Sequence, residues 1–592
     1  MLSTNFSKKI NKKSILPEYP RPNLKRDSYI NLNGYWEYAI TTTSDFPSDY
    51  DGKILVPFAP ESMLSEVNKR LGPTEYLWYH RTFQTPLTDK NHRLILHFGA
   101  VDQTATIYIN NQETTTHHGG YLPFSIDITD FLTEDMNILI VKVKDVTDTS
   151  YHSRGKQKLV PGGMFYTPIS GIWQTVWMEC VPLNYIEKLM ITPRFDEDSV
   201  HIKLITRNIT SNDSSQDVAE LFIYADNTIV AHEFFNDSFE KTVKLNEIHP
   251  WSPEHPFIYD VKITYCHDSV MSYFAMRKFS TNIDKSGTLR LFLNNQPYFH
   301  NGLLDQGYWP ESLYTPPSDK AMIYDIMMAK NLGFNMLRKH AKIEPLRWYY
   351  HCDRIGMLVW QDMVNGGSSY HMWFVTYMPT LFSIIAKNIK DNQYYLLSRS
   401  DELGRKEFIN ETKETIELLY NLPCIAMWVL FNEGWGQFDA VKITEYAKSL
   451  DSTRTIDSTS GWFDQNTGDV KSLHIYFTPL RFHKESRAVV LSEFGGYALK
   501  LKKHSYSDKI YGYRIYKNKE ALLKAYHRLY TKKIIPGIKN GLSASVYTQL
   551  TDIEDEINGL MTYDRKVLKL DADTVKQINK SLAQEFYDRA IL

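Results

Sequence analysis

Trp428-Val429-Leu430-Phe431-Asn432-Glu433-Gly434-Trp435-Gly436-Gln437 closes an apolar run that begins at Ile425. The length and β-rich make-up of Ile425–Phe431 suit a strand buried on both faces, the kind found in parallel sheets. An acid then meets a Gly-Trp-Gly turn. A carboxyl group taken partly out of water favours its protonated form, which is the form a general acid starts from. On its own, Glu433 reads equally well as a cap for the helix expected near Phe438. A second stretch alters that balance, because Ala488-Val489-Val490-Leu491-Ser492-Glu493-Phe494-Gly495-Gly496 repeats the plan of apolar strand, carboxylate and glycine turn. Two strand-end glutamates that converge in space, in unlike surroundings, are the equipment for cleaving a glycosidic bond.

Outward from these stretches, strand-like and helix-like runs alternate from about residue 285 to the C-terminus. Strands are expected at Tyr298–Leu304, Phe334–His340, Met357–Asp362, the run into Glu433, Arg454–Thr459, Ser472–Tyr476, the run into Glu493 and Ser543–Asp552. Helices are expected from Asp319, from Glu344, over Asp401–Leu422, Phe438–Leu450 and Lys519–Ile534. Eight β/α units predict a (β/α)₈ TIM barrel over 283–592, with its active site on the loops at the C-terminal strand ends. Both glutamates fall there, after the fourth and seventh strands.

Other strand ends are polar and aromatic as well. They carry Asp305 and Trp309, Arg338 and His340, Asp362, Tyr476, and Gln549. Any one of these alone is more often a satisfied polar group or a cap; polar residues at nearly every C-terminal strand end predict a shared pocket.

Ahead of the barrel the chain is β-rich. Leu32–Tyr38, Trp78–Phe83, Arg93–Phe98, Ala105–Ile109, Phe124–Ile128, Asn137–Val143 and Gly171–Glu179 read as short strands, with Asn110-Asn111 as a hairpin turn. That spacing predicts a jelly-roll β-sandwich over 1–184. Val200–Ile205, Ala219–Tyr224 and Ile258–Tyr265 predict an immunoglobulin-like sandwich over 185–282, with Trp251–Pro256 as a rigid connection and no chemistry of its own.

A chain of 592 residues with 43% hydrophobic content can bury several cores. Its 12 Trp and 39 Tyr suit sugar stacking and equally suit sandwich cores. The formal net charge of −2 gives no electrostatic reason to expect nucleic acid or an anionic membrane surface. No apolar run approaches the ~18 residues of a membrane span. Residues 1–15 have no apolar core of a secretory signal, so a cytoplasmic location is the expectation. Cys180, Cys266, Cys352 and Cys424 are widely spaced, which fits reduced thiols better than disulfides or a zinc site.

The order of domains, Asn432-Glu433 after the fourth barrel strand, Ser492-Glu493-Phe494-Gly495 after the seventh, Ser170-Gly171-Ile172-Trp173-Gln174, and Phe334–His340 followed by Tyr349–Met357 together resemble glycoside hydrolase family 2, the β-galactosidase, β-glucuronidase and β-mannosidase group. The resemblance implies a retaining exo-β-glycosidase with Glu433 as acid/base and Glu493 as nucleophile. It further implies Asn432 on the sugar 2-hydroxyl, Tyr476 orienting Glu493, Arg338 and His340 on the pocket floor, and Asp305, Trp309, Asp362, Trp435 and Gln549 as further substrate contacts. It implies no organic cofactor, no dedicated cluster of metal ligands is legible, and tetramers common among relatives leave a homo-oligomer open.

Family glucuronidases read the sugar carboxylate with an Asn-x-Lys pair late in the barrel, and the nearest match here, Asn558-Gly559-Leu560, lacks the lysine. The expected substrate is therefore a terminal β-galactoside, with a β-glucuronide or other uronide as the alternative. A carbohydrate-binding protein without turnover is the alternative of another class. Tyr497–Lys517, basic and tyrosine-rich, is expected to form a lid or an oligomer contact, and the first sandwich either to bind sugar or only to wall off the pocket with a loop such as Tyr151–Gly155.

Overall fold

The computed structural model describes residues 2–591 apart from 87–90, 209–217, 236–237, 382–385 and 387. The first region is an antiparallel sandwich. One sheet runs Tyr29–Asn31, Val176–Pro182, His92–Phe98, Phe124–Asp127; the other runs Gly52–Val56, Gly34–Thr41, Tyr76–Gln84, Met136–Lys144, Thr104–Ile109, Gln112–His118. Trp36, Tyr79, Leu96, Phe98, Ile107 and Val141 fill the space between the sheets. Asn110 and Asn111 turn the last hairpin with φ of +51° and +64°, the left-handed pair that matches strand twist.

The second region packs Asn184–Arg194, Ser199–Asn208 and Glu240–Lys244 against Thr228–Phe235, Ala219–Ala225, Tyr259–Tyr265 and Asp268–Phe274. Ala219–Ala225 and Tyr259–Tyr265 bury every second residue, the signature of strands with one face on a core. Trp251, in the expected rigid connection, is fully buried and donates its indole N–H to the Asp353 carbonyl of the barrel at 2.8 Å.

The barrel strands are β1 (His300–Asp305), β2 (Met336–Lys339), β3 (Leu358–Asp362), β4 (Ile425–Asn432), β5 (Thr455–Ser460), β6 (Val470–Ile475), β7 (Ala488–Gly495) and β8 (Leu542–Thr548). Parallel ladders join them in the order β5-β4-β3-β2-β1-β8-β7-β6. β5 and β6 lie side by side and nearly close the ring. Every residue of β4 and β7 is buried, which explains why both read as continuous apolar runs.

Local signals set the crossover helices. Ser318, Asp401 and Asn518 each accept a hydrogen bond from the backbone N–H three residues on, capping Asp319–Asn331, Glu402–Leu419 and Lys519–Leu529. The last strand stops at Thr548 instead of continuing to Asp552. Gln549, Leu550 and Asp552 pair instead with Leu560 and Met561, which fold back over the rim. A final helix, Ala572–Ala590, was not legible as a separate element, yet Val575, Ile578, Leu582 and Phe586 bury one face of it in the barrel core. Among the described residues no helix is long and apolar enough to cross a membrane.

Candidate active site

β2 delivers Arg338 into the mouth of the barrel and Lys339, its neighbour, to the opposite side, as period two requires. Arg338 is fully buried. Its Nε and Nη2 donate to the two oxygens of Asp362 at 3.0 Å each, and Nη2 also donates to Asn432 Oδ1 at 2.9 Å. Nη1 reaches Glu493 Oε1 at 3.2 Å and the Ser492 carbonyl at 3.1 Å. Burial works against this charge, but Asp362 and Glu493 more than offset it and hold the guanidinium protonated. His340 meets Asp362 Oδ2 through Nδ1 at 2.5 Å. Burial, with the nearby Lys156 ammonium, favours the neutral imidazole of His340.

The glutamates arrive by two different backbone devices. Glu433 sits one residue past β4 with φ of +53°, a left-handed conformation rarely held by a non-glycine residue, while its N–H donates to the Ser460 carbonyl at 2.9 Å. It does not cap the following helix: the first helical amide, Ala440, donates instead to Asp391 at 2.8 Å. Glu493 lies on a bulge, because the register of β7 shifts against both β6 and β8 around Ser492 and Glu493. An extra residue at a barrel rim re-aims a side chain.

Between the two carboxylates stands His474. Its Nδ1 meets Glu433 Oε1 at 2.8 Å, and its Nε2 lies 3.0 Å from Ser460 Oγ and 3.8 Å from Glu493 Oε1. One oxygen from each glutamate and a nitrogen of His474 fall within 4.8 Å of one another. A metal ion would find three donors there. Arg338 already neutralises Glu493, however, so the grouping is better described as a carboxylate pair held by an imidazole. Tyr476 donates to Glu493 Oε2 at 2.6 Å and approaches Thr548 Oγ1 at 3.0 Å. Burial pushes the Glu493 carboxyl up, but His474 and Arg338, then His340 and Lys156, outweigh it and bring it down to about 2.

Arg338, His340, Asp362, Asn432, Glu433, Tyr476 and Glu493 therefore share one constellation, as expected. Other candidates do not join it. Asp305 is tied to Lys339 Nζ at 2.6 Å and the Gly307 amide at 3.0 Å. Gln549 is held between Gln306 at 2.6 Å and Asn558 at 2.8 Å. Trp309 lies under the Arg565 guanidinium at 4.1 Å. These three hold the rim together. Trp435 stacks between Phe165 and Tyr370, with centroids 5.5 Å away on either side.

Sequence reasoning passed over His474, noted only as part of a strand end. Its signal is its place two residues before Tyr476, at the end of β6. It also passed over Tyr513, which stacks on Tyr476 at 3.6 Å with a 6° interplanar angle. Tyr513 belongs to the Tyr497–Lys517 segment, where Tyr497–Leu499 and Arg514–Tyr516 form a small parallel ladder. That segment walls a cleft of about 640 Å³ that opens from Glu433 past Phe165, Trp462, Phe477 and Tyr511. The lining also includes Met372 and Tyr377, from a stretch around a π-helical turn that the sequence reading left unassigned.

A TIM barrel with paired glutamates at the ends of its fourth and seventh strands defines a site of the glycoside hydrolase type. Family models agree along the chain: the glycosyl hydrolases family 2 sugar binding domain matches residues 38–182, the family's middle domain 184–277 and its TIM barrel domain 317–581. The chain belongs to glycoside hydrolase family 2. It is 22% identical over 444 residues to a β-galactosidase of Thermoanaerobacter pseudethanolicus, covering 72% of this chain and 54% of that protein. It is 24% identical over 443 residues to a putative β-glucuronidase of Formosa agariphila, covering 71% and 50%. The match thus spans about half the length of these curated relatives. A β-glucuronidase structure from an uncultured Clostridium superposes with a TM-score of 0.72 at 17% identity, covering 94% of this chain and 98% of that one, a likeness of fold.

Proposed function

We propose that this chain is a retaining exo-β-glycosidase. The observation that carries the reading is the approach of Glu433 and Glu493 through oxygens within 4.8 Å of one another. Retaining enzymes place their carboxyls ~5–5.5 Å apart and inverting ones ~6.5–9.5 Å, to leave room for water. Glu493, held ionised by Arg338, His474 and Tyr476, attacks the anomeric carbon. Glu433 gives its proton to the leaving oxygen and then takes one from the water that releases the sugar. Asn432, fixed by Arg338, is placed for the sugar 2-hydroxyl, whose hydrogen bond strengthens in the oxocarbenium-like transition state.

For the glycone, the sequence favours a β-galactoside. In the structure Asn558 is engaged by Gln549 and by Glu556 at 2.9 Å, and so belongs to the scaffold. A β-uronide is the second reading; the β-glucuronidase and β-galacturonidase relatives support it, and the Lys156 ammonium lies near enough to Glu493 for its charge to be felt there. Initial rates on 4-nitrophenyl β-glycosides of galactose, glucuronic acid, galacturonic acid, mannose and N-acetylglucosamine, with Glu493→Ala alongside, test the proposal. Turnover by wild type alone supports it; equal rates for both proteins would remove Glu493 from the chemistry.

A further inference from the structure

Tyr476 holds Glu493 without being held by its own strand. The ladder between β6 and β7 ends with Ile475 opposite Phe494, and Tyr476 lies one residue beyond it. Its hydroxyl donates to Glu493 Oε2 at 2.6 Å and meets Thr548 Oγ1 at 3.0 Å. Both contacts act on the tip of the side chain. The direction in which the phenol O–H points therefore depends on what fixes the plane of the ring.

Tyr513 fixes it. The two rings lie face to face, with centroids 3.6 Å apart and planes within 6°. At so short a separation there is almost no offset, and aromatic pairs left to themselves prefer an offset or an edge-on contact. The surroundings of Tyr513 hold the pair together. Its amide donates to the Gly496 carbonyl at 3.0 Å. Two residues earlier, the Tyr511 amide donates to the Asp555 carbonyl at 2.8 Å and the Tyr511 carbonyl accepts from the Ile557 amide at 3.1 Å. The Phe477 ring meets Tyr513 edge-on at 5.5 Å.

The glycine turn after Glu493 takes part in this arrangement. Gly496 has φ of +62°, and a Cβ there would run into the Tyr513 ring. The turn that follows the nucleophile thus makes room for the ring that steadies the nucleophile's hydrogen-bond donor. Tyr476, Tyr511 and Tyr513 also line the cleft that opens from Glu433.

We infer that Tyr513 is a positioning residue for the nucleophile: its ring, stacked on Tyr476, aims the phenol hydroxyl at the Glu493 carboxylate. The inference rests on the glycosidase reading above. A hydrogen bond donated to a carboxylate favours the ionised form. Arg338 and His340 at the end of β2, His474 on β6 and Lys156 of the first sandwich favour the same form, and Glu433 faces Glu493 from β4.

The test measures kcat/KM against pH on a 4-nitrophenyl β-glycoside that wild type accepts, for Tyr513→Leu, Tyr513→Phe, Tyr476→Phe and the double variant Tyr476→Phe/Tyr513→Leu. Melting curves correct each rate for folded protein. Tyr513→Leu lowers kcat/KM about 10-fold, the size of a lost ring stack. It also moves the acid limb of the profile upward, because a carboxylate with a looser donor takes its proton at higher pH. Tyr513→Phe, which keeps the ring, recovers both. In the Tyr476→Phe background Tyr513→Leu adds little, since the ring acts through a hydroxyl that is gone. Losses that multiply in the double variant, or a loss confined to KM with the acid limb unmoved, would overturn the inference and leave Tyr513 as a wall of the cleft. NMR titration of isotope-labelled glutamate carboxyls, with Glu493 assigned through Glu493→Gln, reads the same point without turnover. An upward shift in Tyr513→Leu, with no glycoside cleaved by wild type, would sink the glycosidase reading and keep this one. An unmoved titration would sink this one whatever wild type cleaves.

Discussion

Two polar clusters share the rim of the barrel, rooted on adjacent residues of β2, and they are built to opposite ends. On one side Lys339 joins Asp305, Glu344 and Lys342, two cations and two carboxylates with hydrogen bonds of 2.6–2.9 Å between them. On the other, Arg338 gathers Asp362, Asn432 and Glu493 while His474 spans the two glutamates. The first cluster is closed on itself and braces the rim. The second leaves Glu433 facing a cleft, with Glu493 in unlike surroundings beside it and the Lys156 ammonium near enough for its charge to be felt. Polarity at a strand end therefore does not mark chemistry; what separates the clusters is whether the charges consume one another.

Breaking each cluster should show the contrast. The largest effect belongs to the carboxylate pair. Glu493→Ala should cost at least about 10⁴-fold in kcat on any accepted glycoside. Glu433→Ala should keep the first step on substrates with good leaving groups, stall the second and recover rate with azide, measured by burst kinetics; no rescue by any small anion would argue against the acid/base role.

Next comes His474→Asn, expected to lower kcat by ~10²-fold and to reshape the pH–rate profile, because the imidazole touches both carboxylates. An unchanged profile with a simple loss of protein would mean a packing role.

For the closed cluster, Lys339→Met should remove ~3–5 kcal/mol of stability by leaving Asp305 and Glu344 buried without their partner, read by urea unfolding. Its kcat per folded molecule should stay within ~10-fold of wild type. A kcat loss like that of His474→Asn would join the two clusters into one functional unit.

The smallest effect is one of pH. The folded state brings the Glu493 carboxyl down from its ordinary 4.5 to about 2, so it stabilises the fold above pH 4.5. That contribution is lost as pH falls from 4.5 towards 2, where the unfolded chain binds the extra proton. The difference in unfolding free energy between wild type and Glu493→Gln should be flat above pH 4.5 and move against wild type below it. A flat difference throughout would mean that Glu493 titrates normally.

Period and punctuation carried the fold. Continuous apolar runs ending in glycine turns, their alternation with helix-like runs, and Asn110-Asn111 between alternating strands are local signals, each readable over a short stretch of chain. They delivered two sandwiches, eight barrel strands and the strand-end glutamates. The partners of Asp305 and Gln549, namely Lys339, Gln306 and Asn558, were not legible because they come from other strands and loops. Ala572–Ala590 was missed because its apolar face has meaning only against a closed barrel.

The sequence by itself determined the class of fold and the two carboxylates, because strand, turn and acid lie together along the chain. Only the tertiary structure decided what surrounds them. His474 reaches Glu433 across β5, the β7 bulge aims Glu493, and Lys156 enters from a sandwich nearly 300 positions earlier in the chain than Glu433. Such neighbours are set by register and domain packing, which join distant segments and leave no local trace in the order of residues.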